Sequence, residues 1–301
     1  MNLDANNKDT KAKPRVALLG LGAMGAGMAG RLLAAEYPTT VYNRSREKAA
    51  PFAQRGATVA AFPRDAAAKA DIVVSMVADD PASRDVWLGE NGALAGAASG
   101  SLLIECSTLT VKWVRELAGE MTEHGCDFVD APVTGSKPQA AAGELLFLTG
   151  GSDAAVERAK PVLSAMGRGV VHLGPTGSGA LLKLINNFLC GVQAASMAEA
   201  LAWLQTGGID RDKAVSILSE GAPGSPILRR TAERAGKQDF VPAFSLRLMA
   251  KDMTYALEEA SRSGIDLQTA ASALARFKDG LQKGFGEEDF AAVTKSVTRG
   301  G

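Results

Sequence analysis

Val16-Ala17-Leu18-Leu19-Gly20-Leu21-Gly22-Ala23-Met24-Gly25 runs a short apolar segment straight into a G-x-G-x-x-G turn, and an alanine-rich helical pattern follows through Leu33. Strand, glycine turn and helix in that order are what a dinucleotide pyrophosphate requires. Gly20 permits the tight turn, Gly22 lets the backbone approach the phosphates, and Gly25 lets the helix pack close to the strand. Unpaired amides at the helix start then face the anion. The intervening Leu21, Ala23 and Met24 join the three glycines as cofactor-binding positions. A G-x-G-x-x-G by itself is a common turn; these flanks, near the start of the chain, point to binding.

A second apolar run, Thr39-Thr40-Val41-Tyr42, ends in Asn43-Arg44-Ser45. A site for NAD places an Asp or Glu here, about 20 residues after the glycines, to hold the ribose 2′-hydroxyl. No acid occurs until Glu47. Arg44 suits a 2′-phosphate instead, and Asn43 and Ser45 are neutral neighbours that would not repel it. The residues therefore predict NADP(H) in preference to NAD(H). Met76 and Val77, where a later strand ends, are counted with the cofactor contacts.

Lys and Arg number 33 and Asp and Glu 33, so the 301-residue chain has no net charge. A duplex nucleic-acid binder shows a basic excess or a clustered basic face. Neither is present, which excludes nucleic acid as the expected partner. Cys106, Cys126 and Cys190 are odd in number and lack C-x-x-C spacing, which reads as a reducing, cytoplasmic compartment with buried thiols. Two histidines alone, His124 and His172, argue against a histidine metal site or a Ser-His-Asp triad, and no metal is expected. Residues 1–13 are polar and read as a disordered leader, neither signal peptide nor anchor. The apolar run Ala180 to Leu204 is broken by Lys183, two asparagines and Glu199, so it predicts a buried helix and no membrane span.

Strands are expected at Arg15–Leu19, Thr39–Tyr42, Ile72–Met76, Leu102–Glu105, Asp127–Asp130, Leu145–Thr149 and Val170–Leu173. Helical patterns fall between the earlier ones, at Ala23–Ala35, Ser45–Arg55, Ser83–Leu88 and Thr110–Glu123. The alternation predicts an α/β fold, a doubly wound parallel sheet covered on both faces. From Ser178 helical periodicity takes over. The expected organisation is a Rossmann-type dinucleotide domain over 14–176 and an all-helical substrate and oligomerisation domain over 177–301. A helix from about Gly179 to Gln205, on the order of 40 Å long at 1.5 Å per residue, joins them. That long apolar helix and the alanine-rich second half predict a homodimer or homotetramer.

On the joining helix Lys183 and Asn187 lie four apart on one face, among Leu181, Leu182, Leu184, Ile185, Phe188 and Leu189. Burying a lysine and an amide without partners is costly. The helix pattern leaves two readings open: a functional pair, or a lysine reaching out to the domain edge. Position at the end of the cofactor domain favours function. An ammonium can stabilise and protonate the oxygen on which charge grows during carbonyl reduction, and an amide can position the substrate. Two loops at strand ends add to the site: Glu105-Cys106-Ser107-Thr108, and Asp130 to Lys137. In the second, Thr134, Gly135 and Ser136 supply hydroxyls and backbone N–H groups suited to a substrate carboxylate. Further on, Phe244 and Lys251-Asp252 precede a helical pattern at Met253–Ser261. By pattern alone Asp252 reads as a helix-start residue and Lys251 takes no role.

Together these segments resemble the β-hydroxyacid dehydrogenase family along nearly the whole chain after the leader. The family's nucleotide motif matches Gly20 to Ala29. Its D-A-P-V-S-G-G-x-x-x-A-x-x-G motif matches Asp130 to Gly143, with Thr134 and Ser136 replacing the usual Ser and second Gly. Its G-x-x-x-K-x-x-x-N motif matches Gly179, Lys183 and Asn187, and its K-D pair matches Lys251-Asp252. The resemblance implies Lys183 as general acid and Asn187 orienting the substrate. It implies Thr134, Gly135 and Ser136 at the carboxylate, Thr108 beside the nicotinamide and Phe244 lining the pocket. Lys251 would contact the cofactor, and Asp252 would help hold the closed site. The Gly135–Lys137 turn and Asn43–Ser45 look like the NADPH-dependent glyoxylate/succinic semialdehyde reductases. Leu248 to Asp252 looks more like the hydroxyisobutyrate and tartronate semialdehyde enzymes.

The expected activity is NADPH-dependent reduction of a small carboxylate-bearing aldehyde or 2-oxo acid. Alternatives are a 3-hydroxyisobutyrate or tartronate semialdehyde enzyme, an imine reductase, against which Lys183 argues, and a non-catalytic NADP sensor that retains the fold.

Overall fold

Along Val16–Leu19 the side chains alternate between two cores: Val16 and Leu18 enter one, Ala17 and Leu19 the other. Only a strand buried on both faces does this, and it places Val16–Leu19 (β1) at the centre of a parallel array. The computed structural model describes residues 12–297. Most of the expected leader lies outside them; Lys13, inside them, donates to the Ala35 carbonyl at 2.7 Å.

After β1 come α1 (Gly25–Ala34), β2 (Thr39–Tyr42), α2 (Ala50–Ala53), β3 (Thr58–Val59), α3 (Pro63–Ala67), β4 (Ile72–Ser75) and α4 (Asp80–Leu88). There follow β5 (Leu102–Glu105), α5 (Val111–Glu123), β6 (Asp127–Asp130), β7 (Val133–Thr134), α6 (Lys137–Ala142), β8 (Leu145–Gly151), α7 (Asp153–Met166) and β9 (Gly167–Gly174). The sheet order is β3-β2-β1-β4-β5-β6-β8-β7, with β9 on β8. Strands β1 to β6 pair in parallel. The alternation predicts a wholly parallel sheet; the sheet is instead mixed. Strand β8 runs antiparallel to β6 and β7, because only a short helix, α6, separates them from it. The segment expected as one helix at Ser45–Arg55 is a 3₁₀ turn at Arg46–Lys48 followed by the four residues of α2. Pro51, in the first turn of α2, lacks the amide that would continue the preceding turn.

The second half consists of α8 (Ser178–Leu204), α9 (Arg211–Glu220), α10 (Pro226–Lys237), α11 (Leu246–Arg262) and α12 (Gln268–Gln282), closed by a 3₁₀ segment at Phe290–Lys295. Its core is built on Ala194, Met249, Met253, Phe277 and Phe290. Helix α11 begins six residues before the Asp252 expected to start it. Ser245 caps it, its hydroxyl accepting from Leu248 N. Lys251 and Asp252 therefore lie inside the helix. Among the described residues no helix is long and apolar enough to cross a membrane.

Helix α8 begins where the sheet ends, and Asp130 fixes the joint. At the carboxyl end of β6, its Oδ1 accepts from Gly177 N at 2.8 Å and its Oδ2 from Ala180 N at 2.9 Å. Gly177, the residue before α8, carries no side chain to cap the helix, so an acid from the sheet does so. The approach is close enough that a Cβ on Gly179 would overlap the Leu148 carbonyl, and one on Gly150 would crowd Asp130 Oδ1.

Burial pushes the Asp130 carboxyl up to about 6, against the lowering effect of its amide donors. A folded-state value above the ordinary aspartate range means that the native state holds the extra proton between the two values. The contribution of Asp130 is thus fully present only below about pH 4 and decreases as pH rises through about 6. Urea unfolding of wild type and Asp130→Asn from pH 4 to 8 should show the wild-type advantage shrinking by about 2–3 kcal/mol, then levelling. An advantage that grows with pH would overturn this assignment.

Candidate active site

The glycine turn is shaped by three different constraints. Gly20 has φ +98°, and a Cβ there would overlap the Met76 carbonyl; a Cβ on Gly25 would overlap the Gly20 carbonyl. A Cβ on Gly22 meets nothing within 4 Å. Open space therefore lies beside Gly22 while its neighbours are jammed. No side chain caps α1 and no acid occupies its first turn, so no side chain competes for its leading amides. A cradle of this form fits a dinucleotide pyrophosphate. Leu21 N donates to Asn43 Oδ1 at 2.8 Å, and Asn43 Nδ2 donates to the Ser45 carbonyl at 3.0 Å. Asn43 thus braces the turn against the end of β2. Arg44 beside it is exposed and makes no ion pair among the described residues.

The loops after β4 and β5 meet at the next strand ends. Val77 N donates to Ser107 Oγ at 2.8 Å, and Met76 N to the Leu19 carbonyl at 2.9 Å. Ser107 N donates at 2.9 Å to Glu105, a fully buried carboxylate that also accepts from Ser83 Oγ at 2.7 Å and Trp87 Nε1 at 2.8 Å. Burial raises the Glu105 pKa, and these donors oppose the rise. Glu105 thereby holds the loop bearing Thr108 to α4. The Thr108 carbonyl accepts from Lys251 Nζ at 2.6 Å. Lys251 also lies 2.9 Å from Asp252 Oδ1 and over the Tyr255 ring at 4.8 Å.

Asn187, 4% exposed, donates from Nδ2 to Asp252 Oδ2 at 2.5 Å, and its Oδ1 accepts from Asn186 Nδ2 at 2.9 Å. The carbonyl end is therefore engaged by Asn186, and only the second N–H remains to position a substrate. Lys183, one turn earlier, has no hydrogen-bond acceptor for Nζ among the described residues. Burial lowers its pKa, and the Asp252 carboxylate opposes the shift.

Thr134 ends β7 and Gly135 has φ +113°. Ser136 caps α6, and its N and Oγ both donate to Gln139 Oε1, at 3.0 and 2.8 Å. Of the three residues expected to hold a carboxylate, Ser136 is committed to the helix cap. The Thr134 hydroxyl and the Gly135 amide have no acceptor among the described residues. Phe244, before α11, packs edge-on against Phe290 at 6.0 Å. Its backbone is drawn in by buried Asp289, which pairs with Arg230 at 2.7 Å. Among the described residues no cluster of three His, Cys, Asp or Glu could hold a metal ion.

Sequence reasoning missed Asn186, Glu105 as an anchor, and the Arg230–Asp289 pair. Asn186 stands three residues after Lys183, a spacing that shares its face, and an acid within a wholly apolar strand already marks Glu105.

Residues 15–174 match the model for the NAD-binding domain of 6-phosphogluconate dehydrogenase. Residues 177–297 match that for the NAD-binding region of NADP-dependent 3-hydroxyisobutyrate dehydrogenase. The chain is 34% identical over 292 residues to glyoxylate/succinic semialdehyde reductase 2, chloroplastic, of Arabidopsis thaliana, covering 97% of this chain and 82% of that protein. It is 36% identical over 291 residues to an NAD-dependent L-serine dehydrogenase of Pseudomonas aeruginosa, covering 93% and 97%. Among solved structures, 3-hydroxyisobutyrate dehydrogenase from Salmonella typhimurium superposes with a TM-score of 0.86 at 30% identity, over 95% of this chain and 100% of that one.

Proposed function

The chain belongs to the β-hydroxyacid dehydrogenase family of NAD(P)-dependent oxidoreductases, and from that premise we propose that it reduces a small carboxylate-bearing aldehyde or 2-oxo acid, of the glyoxylate or succinic semialdehyde class, with NADPH. The observation that carries the reading is Lys183. Its ammonium stands at the joint between sheet and helices with no acceptor among the described residues, on the same face as Asn187 and near the Asp252 carboxylate.

When bound, the dinucleotide supplies the hydride. Lys183 stabilises the oxygen of the substrate carbonyl and donates its proton to it, and a pKa lowered by burial brings that proton transfer closer to neutral pH. The remaining Asn187 N–H holds the substrate in register. The Thr134 hydroxyl and Gly135 amide receive the carboxylate, with Phe244 closing the apolar side of the pocket. Lys251 acts chiefly by fixing Thr108 beside the nicotinamide position, and Asp252 keeps Asn187 and Lys251 in place.

NADP(H) over NAD(H) rests on Arg44, because the family likeness includes a relative named as NAD-dependent. The chemistry of 3-hydroxyisobutyrate and tartronate semialdehyde enzymes is the second reading, favoured by the Salmonella likeness and by Leu248 to Asp252. All three cysteines are free, which fits the cytoplasm. Leu181, Ile185 and Leu189 remain 40–46% exposed along α8, which supports a homodimer or homotetramer; a monomeric mass in light scattering would refute it.

The deciding assay is the initial rate of NADPH and NADH oxidation with glyoxylate, succinic semialdehyde, tartronate semialdehyde, methylmalonate semialdehyde and one cyclic imine. Turnover confined to the imine would remove the lysine chemistry, and tight NADPH binding without turnover would favour a sensor. Lys183→Ala should lower kcat at least about a hundredfold with little change in cofactor affinity; near-normal turnover would end its role. Arg44→Ala should raise the KM for NADPH far more than that for NADH, and equal losses would count against a 2′-phosphate contact.

A further inference from the structure

Lys183, Asn186, Asn187 and Cys190 follow one another at i, i+3, i+4 and i+7 along one face of α8. Within this stripe the orientation of Asn187 is the sensitive point. A carboxamide presents donors at one end and acceptors at the other. The Asp252 carboxylate, held by Lys251 and 0% exposed, can only accept, so it requires the NH₂ end of Asn187 at 2.5 Å. That turns Asn187 Oδ1 the other way, into a site where a buried carbonyl needs a donor. Asn186 supplies it, with Nδ2 at 2.9 Å from Asn187 Oδ1 and 3.9 Å from Cys190 Sγ, a weak acceptor.

We propose that Asn186 is a positioning residue for the reduction: its N–H locks the Asn187 carboxamide with both N–H groups directed to Asp252 and the substrate side, completing a polar chain Asn186–Asn187–Asp252–Lys251–Thr108 from α8 to the sheet. The catalytic part rests on the function proposed above; the chain of hydrogen bonds, joined by the Lys251–Asp252 ion pair, does not. Without the Asn186 donor, the Asn187 amide loses the constraint that selects one of its two flips. The flipped amide sets its carbonyl against the Asp252 carboxylate and offers substrate an acceptor in place of a donor. Asn186 touches neither substrate nor cofactor; it acts through Asn187.

The test is a double-mutant cycle between Asn186→Asp, which keeps the shape and removes the N–H, and Asn187→Ala. Asn186→Ala serves as a second variant in case the aspartate form fails to fold. In turnover, N186D should lower kcat about tenfold, the equivalent of one hydrogen bond, with the KM for NADPH within about twofold of wild type. In the Asn187→Ala background the same change should have almost no further effect. The melting temperature of the cofactor-free protein should show the same non-additivity. N186D with wild-type kcat and melting temperature, or effects that add fully to those of Asn187→Ala, would overturn the proposal. A wild-type protein inert on every carbonyl would refute the proposed function alone, since the melting cycle still reads the bond.

Discussion

Two backbone amides at the start of α8 are held by one carboxylate at the end of β6, and the rest of the site is built from that joint. Asp130 satisfies donors that the helix cannot satisfy itself, and it does so from the sheet. The first turn of α8 is thereby fixed against β8, at a separation that only glycine permits at 150 and 179. Lys183 and Asn187 follow one and two turns later, so their positions relative to the strand ends are set by backbone geometry rather than by flexible side chains.

A second tie reaches the same helix from the opposite direction. Glu105 holds the loop of Ser107 and Thr108, Thr108 accepts from Lys251, and Lys251 pairs with Asp252, which holds Asn187. Tyr255 adds to it, its hydroxyl accepting from Asp80 N at 3.2 Å. The proposed proton donor thus stands between two independent anchors, one made at the helix end and one through its neighbour α11. Removing one partner of a buried charged pair costs more than the pair contributes, because the other charge is left behind. That asymmetry makes each member of this chain sensitive to substitution even without contact with substrate.

Much of the architecture was legible because its signals are local. β2, β5 and β6 fall at the expected residues, where short apolar runs end at turn residues. β7 was not legible, since two residues after a proline have no period. The first residues of β9, Gly167-Arg168-Gly169, lack β-propensity and join the sheet through partners on β8. In α11 the polar Lys251-Asp252 pair imitated a helix start. The spacing of Leu246, Met249, Ala250, Met253 and Ala256 carries the true period and shows where the helix begins. Lys183 and Asn187 could be picked out by their spacing on one helix, but the direction in which Asn187 points depends on a carboxylate 65 residues away. Ser136 shows the same limit: its residue type suggested a ligand contact, whereas Gln139, three residues on, engages it as a cap.

Ala180 and Leu184 of α8 and Ala256 of α11 lie in the same core as Leu19, Val73, Trp87 and Leu103 of the sheet unit. One apolar core therefore crosses what the chain's order presents as a border between domains. Separating the two halves would expose that shared surface on both. The helices and the sheet should accordingly melt together, a destabilising change in either half lowering the melting point of both.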